Sequence, residues 1–183
     1  MNLEIYTDGS CDNRKGDGGW AWVAVCRPEG VNAANGARQA NRHPEDYVVG
    51  EGSGGFPPGS GKTNNIMELQ GIYNALNWVV ATRPEVTCDH GGRIRSLPIW
   101  TDSSYARKCL TEYIPKWQAR GWTTSIGKPV ANKALLLYIV RRMKQCHALG
   151  YGIRIRHIKG HLFDWNDYAD KLAGEARKAT HTP

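Results

Sequence analysis

The sequence predicts an α/β fold in which a mixed sheet carries packed helices. Three observations point there. Three strand-like segments open the chain, and their first two connections hold no helical pattern. Helical and strand patterns then alternate to the end of the sequence. Two segments far apart in sequence echo each other, and each reads as a strand that stops at an aspartate.

The elements follow in order. Leu3, Ile5 and Thr7 alternate with polar residues and run into Asp8-Gly9-Ser10, a strand and its turn. Trp20 to Cys26 is apolar on both alternating faces, as in a buried central strand. Tyr47, Val48 and Val49 give a third strand, so the three are expected as an antiparallel meander. Gly50 to Gly61, rich in glycine and proline, is expected as a loop. Ile66, Leu69, Tyr73, Leu76 and Val80 recur at steps of three and four, which marks an amphipathic helix. Asn64 or Asn65 is expected to cap it, and Pro84 to close it. Pro98 to Thr101 is a short strand ending at Asp102, with a helix expected from Ser103. Lys116 to Lys133 is basic and carries Trp117 and Trp122. Ala134 to Leu149 is helical and stops at Gly150. Tyr151, Ile153, Ile155 and His157 alternate with Arg154 and Arg156, and a last helix is expected from Asn166 to Ala179, with Ala169, Leu172, Ala173 and Ala176 inward. No internal repeat or linker interrupts the 183 residues, which are expected to form one domain, 1–183.

A chain of this length buries roughly 70% of its unfolded surface and needs no disulfide staples. Its five cysteines are odd in number and show no C-x-x-C spacing, so neither a disulfide framework nor a zinc site is indicated. Free thiols, with no basic and apolar leader after Met1, lead to the expectation of a cytoplasmic protein. No apolar run approaches a membrane span. The net charge of +7 and the pI of about 9.3 favour a polyanionic partner, nucleic acid before all others.

The two echoing segments are Ile5-Tyr6-Thr7-Asp8-Gly9-Ser10 and Ile99-Trp100-Thr101-Asp102-Ser103-Ser104. Ligands of α/β sheets bind outside the carboxyl ends of the strands, so two such aspartates on adjacent parallel strands would converge at one sheet edge. A single strand-end aspartate more often starts a turn or caps a helix. Glu68 and Asp170 are placed in the first turns of their helices, where the helix dipole alone favours a carboxylate. Four such groups brought together require a cation, and Mg²⁺ with its preference for hard oxygen ligands suits them.

Tyr6-Thr7-Asp8-Gly9-Ser10-Cys11, Thr63-Asn64-Asn65-Ile66-Met67-Glu68-Leu69, Thr101-Asp102-Ser103, Lys159-Gly160-His161 and Asn166-Asp167-Tyr168-Ala169-Asp170-Lys171-Leu172-Ala173 occur in this order. The set closely resembles type 1 ribonuclease H of the bacterial or phage kind, and Trp117-Gln118-Ala119-Arg120-Gly121-Trp122 resembles that family's basic protrusion. The resemblance implies a ribonuclease H-like five-stranded mixed sheet, three antiparallel strands and then parallel ones, with helices on both faces. It implies an endonuclease that cuts the RNA strand of RNA–DNA hybrids. Asp8, Glu68, Asp102 and Asp170 would bind two Mg²⁺ ions, with Mn²⁺ a possible substitute, and the products would carry 5′-phosphate and 3′-hydroxyl ends. His161 would assist proton movement or product departure. Asn64 and Asn65 would touch the two strands at the minor groove, near Cys11 and Ser104, and Thr63 would hold a DNA phosphate. Trp117 and Trp122, with Lys116 and Arg120, would position the DNA strand. The enzyme would work as a monomer without an obligate protein partner.

The sequence departs from the family pattern in four places. Asn13-Arg14-Lys15 replaces the usual Gly-Asn-Pro, with Asn13 as the substitute contact. Gln118 and Ala119 replace lysines of the protrusion, the step from His161 to Asp170 is one position shorter, and the connection from Arg27 to Lys62 is longer. The sequence leaves two other readings open. One is a non-catalytic hybrid-binding module on the same fold. The other is a P-loop nucleotide hydrolase, from Gly59-Ser60-Gly61-Lys62-Thr63, although Phe56 stands where that motif needs glycine and Pro57 and Pro58 remove two N–H donors.

Overall fold

The structure, a computed structural model, describes residues 2–28, 43–84, 96–159 and 164–181. Strands β1 (Asn2–Asp12), β2 (Asp17–Arg27), β3 (Tyr47–Phe56), β4 (Leu97–Thr101) and β5 (Ile153–His157) form one sheet in the order β3-β2-β1-β4-β5. β1 pairs antiparallel with β2 and parallel with β4, β2 pairs antiparallel with β3, and β4 pairs parallel with β5. The expected mixed sheet is therefore present, with β1 at its centre.

Alternation along the strands divides the interior in two. Leu3, Ile5, Trp22, Ala24, Ile99, Ile153 and Ile155 face helices α1 (Asn64–Thr82) and α4 (Lys133–Ala148), whose Leu69, Ile72, Leu76, Leu136 and Ile139 complete the larger core. Tyr6, Val23, Val25 and Trp100 face α5 (Asp164–Ala179), where Trp165 and Ala169 close a smaller core. On this helix Ala169 and Ala173 are buried, while Leu172 and Ala176 lie at its margin. Between β4 and α4 the chain runs through α2 (Ser104–Lys108), one wider π-helical turn (Cys109–Tyr113) and α3 (Ile114–Ala119).

Three local expectations are corrected. The first strand, expected to stop at Asp8 and turn through Gly9 and Ser10, continues to Asp12, because its pairing with β2 runs unbroken to Asp12–Asp17. Residues 50–56, expected as loop, extend β3. Their glycines explain this: Gly50, Gly52 and Gly54 share one face, and a side chain there would collide with the rings of Trp78, Trp22 and Trp20 respectively. The strand needs glycine so that three indoles can lie flat on it. The cap of α1 is Thr63, whose hydroxyl accepts from the Ile66 amide, not Asn64 or Asn65. Glu68 therefore stands in the second turn of α1, and because α5 begins at Asp164, Asp170 likewise stands in a second turn.

A buried polar cluster pins the amino end of β1. Arg27, with no exposed surface, donates through Nε to Asp46 at 3.2 Å and through Nη1 to the Tyr6 hydroxyl at 3.1 Å. Its Nη1 also lies 3.7 Å from Glu4, which accepts from Tyr6 at 2.7 Å. The Trp165 indole donates to the other Asp46 oxygen at 2.9 Å, tying α5 to the same cluster. Burial pushes the Glu4 carboxyl above its ordinary range, and only Tyr6 and Arg27 oppose it.

Further along β1, at Gly9, a close approach sets the position of α1. A side-chain carbon on Gly9 would lie 2.4 Å from the backbone nitrogen of Glu68. Backbone cannot yield as a flexible side chain can, so Gly9→Ala must push α1 away from β1. Overpacking of this kind costs about 1–3 kcal/mol. A lowered midpoint in chemical denaturation, with the slope unchanged, is the expected outcome; an unaltered midpoint would show that the helix moves freely.

Candidate active site

Asp8, Glu68 and Asp102 converge, each offering an oxygen within 4.8 Å of the others. The pairing of β1 with β4 through Ile5–Ile99 and Tyr6–Trp100 carries the two aspartates to the same sheet edge. Glu68 reaches them because Gly9 lets the helix lie against the strand. The two echoing segments are thus adjacent in space, as expected. Asp170 approaches from α5, and its charge, like that of Asp167, is felt by Asp8.

The electrostatics are unfavourable for an ion-free protein. Asp8 and Glu68 are buried, at 5% and 3% exposure. Burial first, and the Asp102 carboxylate second, push the Asp8 carboxyl up to about 8, against one short hydrogen bond of 2.6 Å from the Gly9 amide. Glu68 is held well above the ordinary carboxylate range by burial, Asp8 and Asp102. The Asn64 amide donates to its Oε1 at 3.4 Å, while its Oε2 is buried with no partner. An orphaned, charge-crowded oxygen among hard donors fits a divalent cation and little else.

The other expected residues stand on β1 and its turn into β2, on α1 and α2, and at α3. Cys11 stands near the end of β1, with its thiol 3.2 Å from the Lys62 carbonyl just before Thr63. Asn13 is exposed in the β1–β2 turn, Thr63, Asn64 and Asn65 are exposed at the start of α1, and Ser104 is exposed at the start of α2. Lys116 on α3 and Arg120 at its end are exposed, and Trp117 and Trp122 pack with ring centres 6.5 Å apart and planes tilted by 36°. Both rings are partly buried against the larger core, and Lys133 lies over Trp122 at 5.8 Å. His161 lies outside the described residues.

One polar contact at the site is missing from the sequence reading. His157, at the end of β5, places Nε2 3.0 Å from the Asp102 carbonyl and 3.1 Å from the Ser104 hydroxyl. No signal in the sequence marks it; it follows from register in the folded sheet, where His157 pairs with Thr101, one residue before Asp102. The P-loop reading fails on geometry. The Gly59 and Lys62 amides donate to the carbonyls of Lys15 and Gly16, and the Lys62 ammonium lies over the Phe56 ring at 4.4 Å.

The family model described as RNase H matches residues 1–178. Ribonuclease H of Treponema pallidum subsp. pallidum is 32% identical over 179 residues, covering 96% of this chain and 90% of the relative. LC9-RNase H1, a type 1 RNase H with the type 2 active-site motif, superposes with a TM-score of 0.67 at 24% identity, over 97% of this chain and 72% of that one. LC11-RNase H1, solved in complex with an RNA/DNA hybrid, superposes with a TM-score of 0.61 at 17% identity, over 99% of this chain and 100% of that one.

The crowded carboxylates have a consequence for stability. An acid whose pKa is raised on folding binds more protons folded than unfolded, so stability falls as pH rises between the two values. For Asp8 that window runs from the ordinary 3.8 to about 8. In a chelating buffer above pH 8, Asp8→Asn is therefore expected to raise the melting temperature. Each 1 kcal/mol recovered is worth about 2–4 °C in a domain of this size. The gain should shrink towards pH 5 and on addition of Mg²⁺; a lower melting temperature for Asp8→Asn in chelator would contradict this account.

Proposed function

The chain belongs to the RNase H family of enzymes, and on that basis we propose that it hydrolyses the RNA strand of RNA–DNA hybrids at the Asp8, Glu68, Asp102 and Asp170 cluster, leaving 5′-phosphate and 3′-hydroxyl ends. The observation that carries this reading is the meeting of three carboxylates, one from each of three family motifs, within 4.8 Å. Asp8, Glu68, Asp102 and Asp170 would hold two Mg²⁺ ions, or Mn²⁺ in their place. Bound there, such ions supply an activated water and stabilise the departing oxygen.

The chain's own residues prepare that chemistry. Gly9 and Asn64 each donate to one oxygen, of Asp8 and of Glu68, which leaves the other oxygen of each carboxylate for the ions they would hold. His157 steadies the backbone at Asp102. In this reading Cys11, Asn13, Asn64, Asn65 and Ser104 line the minor groove of the hybrid, where 2′-hydroxyls distinguish RNA from DNA. Thr63 holds a DNA phosphate, and Lys116, Trp117, Arg120 and Trp122 position the DNA strand. The net charge of +7 draws the hybrid in. His161 moves a proton or releases product. The hybrid complex of LC11-RNase H1 supports the choice of substrate. We place the enzyme in the cytoplasm as a single-domain monomer spanning 1–183. The free thiols of Cys11, Cys109 and Cys146 favour a reducing compartment, and among the described residues no helix is long and apolar enough to cross a membrane.

The deciding experiment offers labelled hybrid, duplex DNA and duplex RNA, with and without Mg²⁺. Internal cuts in the RNA strand of the hybrid alone, abolished by chelator, are expected. Equal cleavage of duplex DNA would reject the reading.

A second comparison separates the carboxylates from the histidine. Losing a positioned acid or base costs about 10²–10⁴-fold in rate, and losing a metal ligand costs the ion itself. His161→Ala should therefore retain measurable Mg²⁺-dependent cleavage where Asp8→Asn retains none. Parent-like rates for His161→Ala in both single- and multiple-turnover assays would make the histidine a bystander.

A further inference from the structure

Asp17 begins β2 and has no exposed surface. A carboxylate buried so completely is costly unless charged or hydrogen-bonding groups meet it. Three do. The Asp12 amide across the hairpin donates to Oδ1 at 3.0 Å, Arg177 Nη1 lies 3.9 Å from the same oxygen, and His181 Nε2 bonds directly to Oδ2. Burial alone would raise the Asp17 carboxyl; His181, the Asp12 amide and Arg177 outweigh it and hold it below its ordinary value.

Glycines make the contact possible. A side-chain carbon on Gly19 would lie 2.1 Å from the Ala173 carbonyl, and one on Gly55 would lie 2.6 Å from that of Ala176. Without such carbons the last turns of α5 rest directly on β2 and β3. The Thr180 hydroxyl reaches the Phe56 carbonyl at 3.3 Å, and Arg177 and His181, four residues apart, both turn to Asp17.

Asp17 lies beneath two groups of substrate contacts. Its carbonyl accepts from the Cys11 thiol at 3.0 Å, and the turn it closes carries Asn13. The tip of that turn accepts amide donors from Gly59, at 2.8 Å, and from Lys62, at 3.1 Å, immediately before Thr63, Asn64 and Asn65. The reacting centre is further off. Asp8 is four register positions up β1 from Asp12, roughly 13 Å at 3.3 Å per residue.

We propose that His181, with Arg177, is a positioning residue for substrate binding: its hold on Asp17 fixes the β1–β2 turn and the entry to α1 in the arrangement that grips the hybrid. The proposal rests on the reading of Cys11, Asn13, Thr63, Asn64 and Asn65 as hybrid contacts. It assigns the end of α5 to binding and leaves chemistry to the carboxylates.

The test compares the parent with His181→Ala and His181→Gln in the full chain, using KM and kcat on a hybrid. The glutamine amide can take the place of Nε2. Loss of one charge-assisted hydrogen bond should raise KM about tenfold in His181→Ala, with kcat within about twofold and recovery in His181→Gln. Amide hydrogen exchange of the free proteins gives a second readout. Faster exchange in His181→Ala is expected at residues 12–17 and 59–63, with the centre of β1 unchanged. Unchanged KM in His181→Ala, a fall in kcat without a rise in KM, or no recovery by glutamine would overturn the proposal. Exchange unchanged at the turn would refute the clamp itself. A parent protein that leaves every hybrid uncut would refute instead the reading of the site on which the clamp's role depends.

Discussion

The rest of the molecule is organised around one electrostatic conflict, the packing of carboxylates into a place where they repel one another and water does not screen them. Asp8, Glu68 and Asp102 would separate if their backbones could. They cannot, because Asp8 lies within β1 and Asp102 directly follows β4, neighbouring strands of a sheet buried on both faces, and Glu68 is carried by a helix that rests on Gly9. The larger core supplies the energy that holds them. Leu69, Ile72, Leu76 and Val79 are fully buried on the helix that presents Glu68, and each such side chain contributes roughly 1.5–3 kcal/mol. Apolar burial along α1 thus offsets the cost of crowding at its first two turns, and the uncompensated negative potential is what a divalent cation finds attractive.

The two ends of β1 solve the problem of buried charge in opposite ways. At the amino end, Glu4 and Asp46 are met by Arg27, Tyr6 and Trp165, so that nearly every oxygen has a donor. At the carboxyl end, Glu68 keeps an oxygen with none. Removing one partner from a satisfied cluster strands the others, which is why loss of Arg27 would be severely destabilising. Removing a carboxylate from the unsatisfied cluster relieves repulsion. The same residue type therefore supports the fold at one end of a strand and burdens it at the other. Polar groups left unmatched in a well-packed interior mark where function departs from stability.

How much of this is legible in the sequence depends on whether a feature is local. The three long helices and most strands follow from apolar periodicity, and the paired aspartates from the likeness of residues 5–10 to 99–104, whereas α3 carries no such pattern. β3 reads too short in the sequence because glycine in a strand ordinarily weakens it. Its glycines recur at every second position, though, and that period is itself a strand signal once the three tryptophans are known to lie on it. Thr63 does not stand out as a cap because the two asparagines after it are equally good caps by residue type, and only the backbone at Thr63 decides. The substrate contacts come from family likeness, since exposed Asn, Thr and Trp carry no periodicity. Asp17 with His181, and His157 with Asp102, are invisible for a different reason. Each joins residues far apart in sequence, and neither partner is unusual where it stands.

Charge at the scale of the whole molecule completes the argument. A chain of net charge +7 attracts a polyanion from every direction, yet the point where a phosphate must come to react is lined with carboxylates. Within a Debye length of about 8–10 Å the local negative charge dominates, and beyond it the positive surface does. In the proposed reading, a phosphate is therefore held at the periphery by groups such as Arg120 and Trp122 while being repelled from the centre. Neutralising the centre with a cation removes the repulsion without weakening the peripheral hold. In the proposed reading, binding and chemistry therefore fall on different parts of the fold, the first on α1, α3 and the β1–β2 turn, the second at Asp8 within β1 and Asp102 just past β4. A substitution in one part can then alter affinity while leaving the reacting geometry in place.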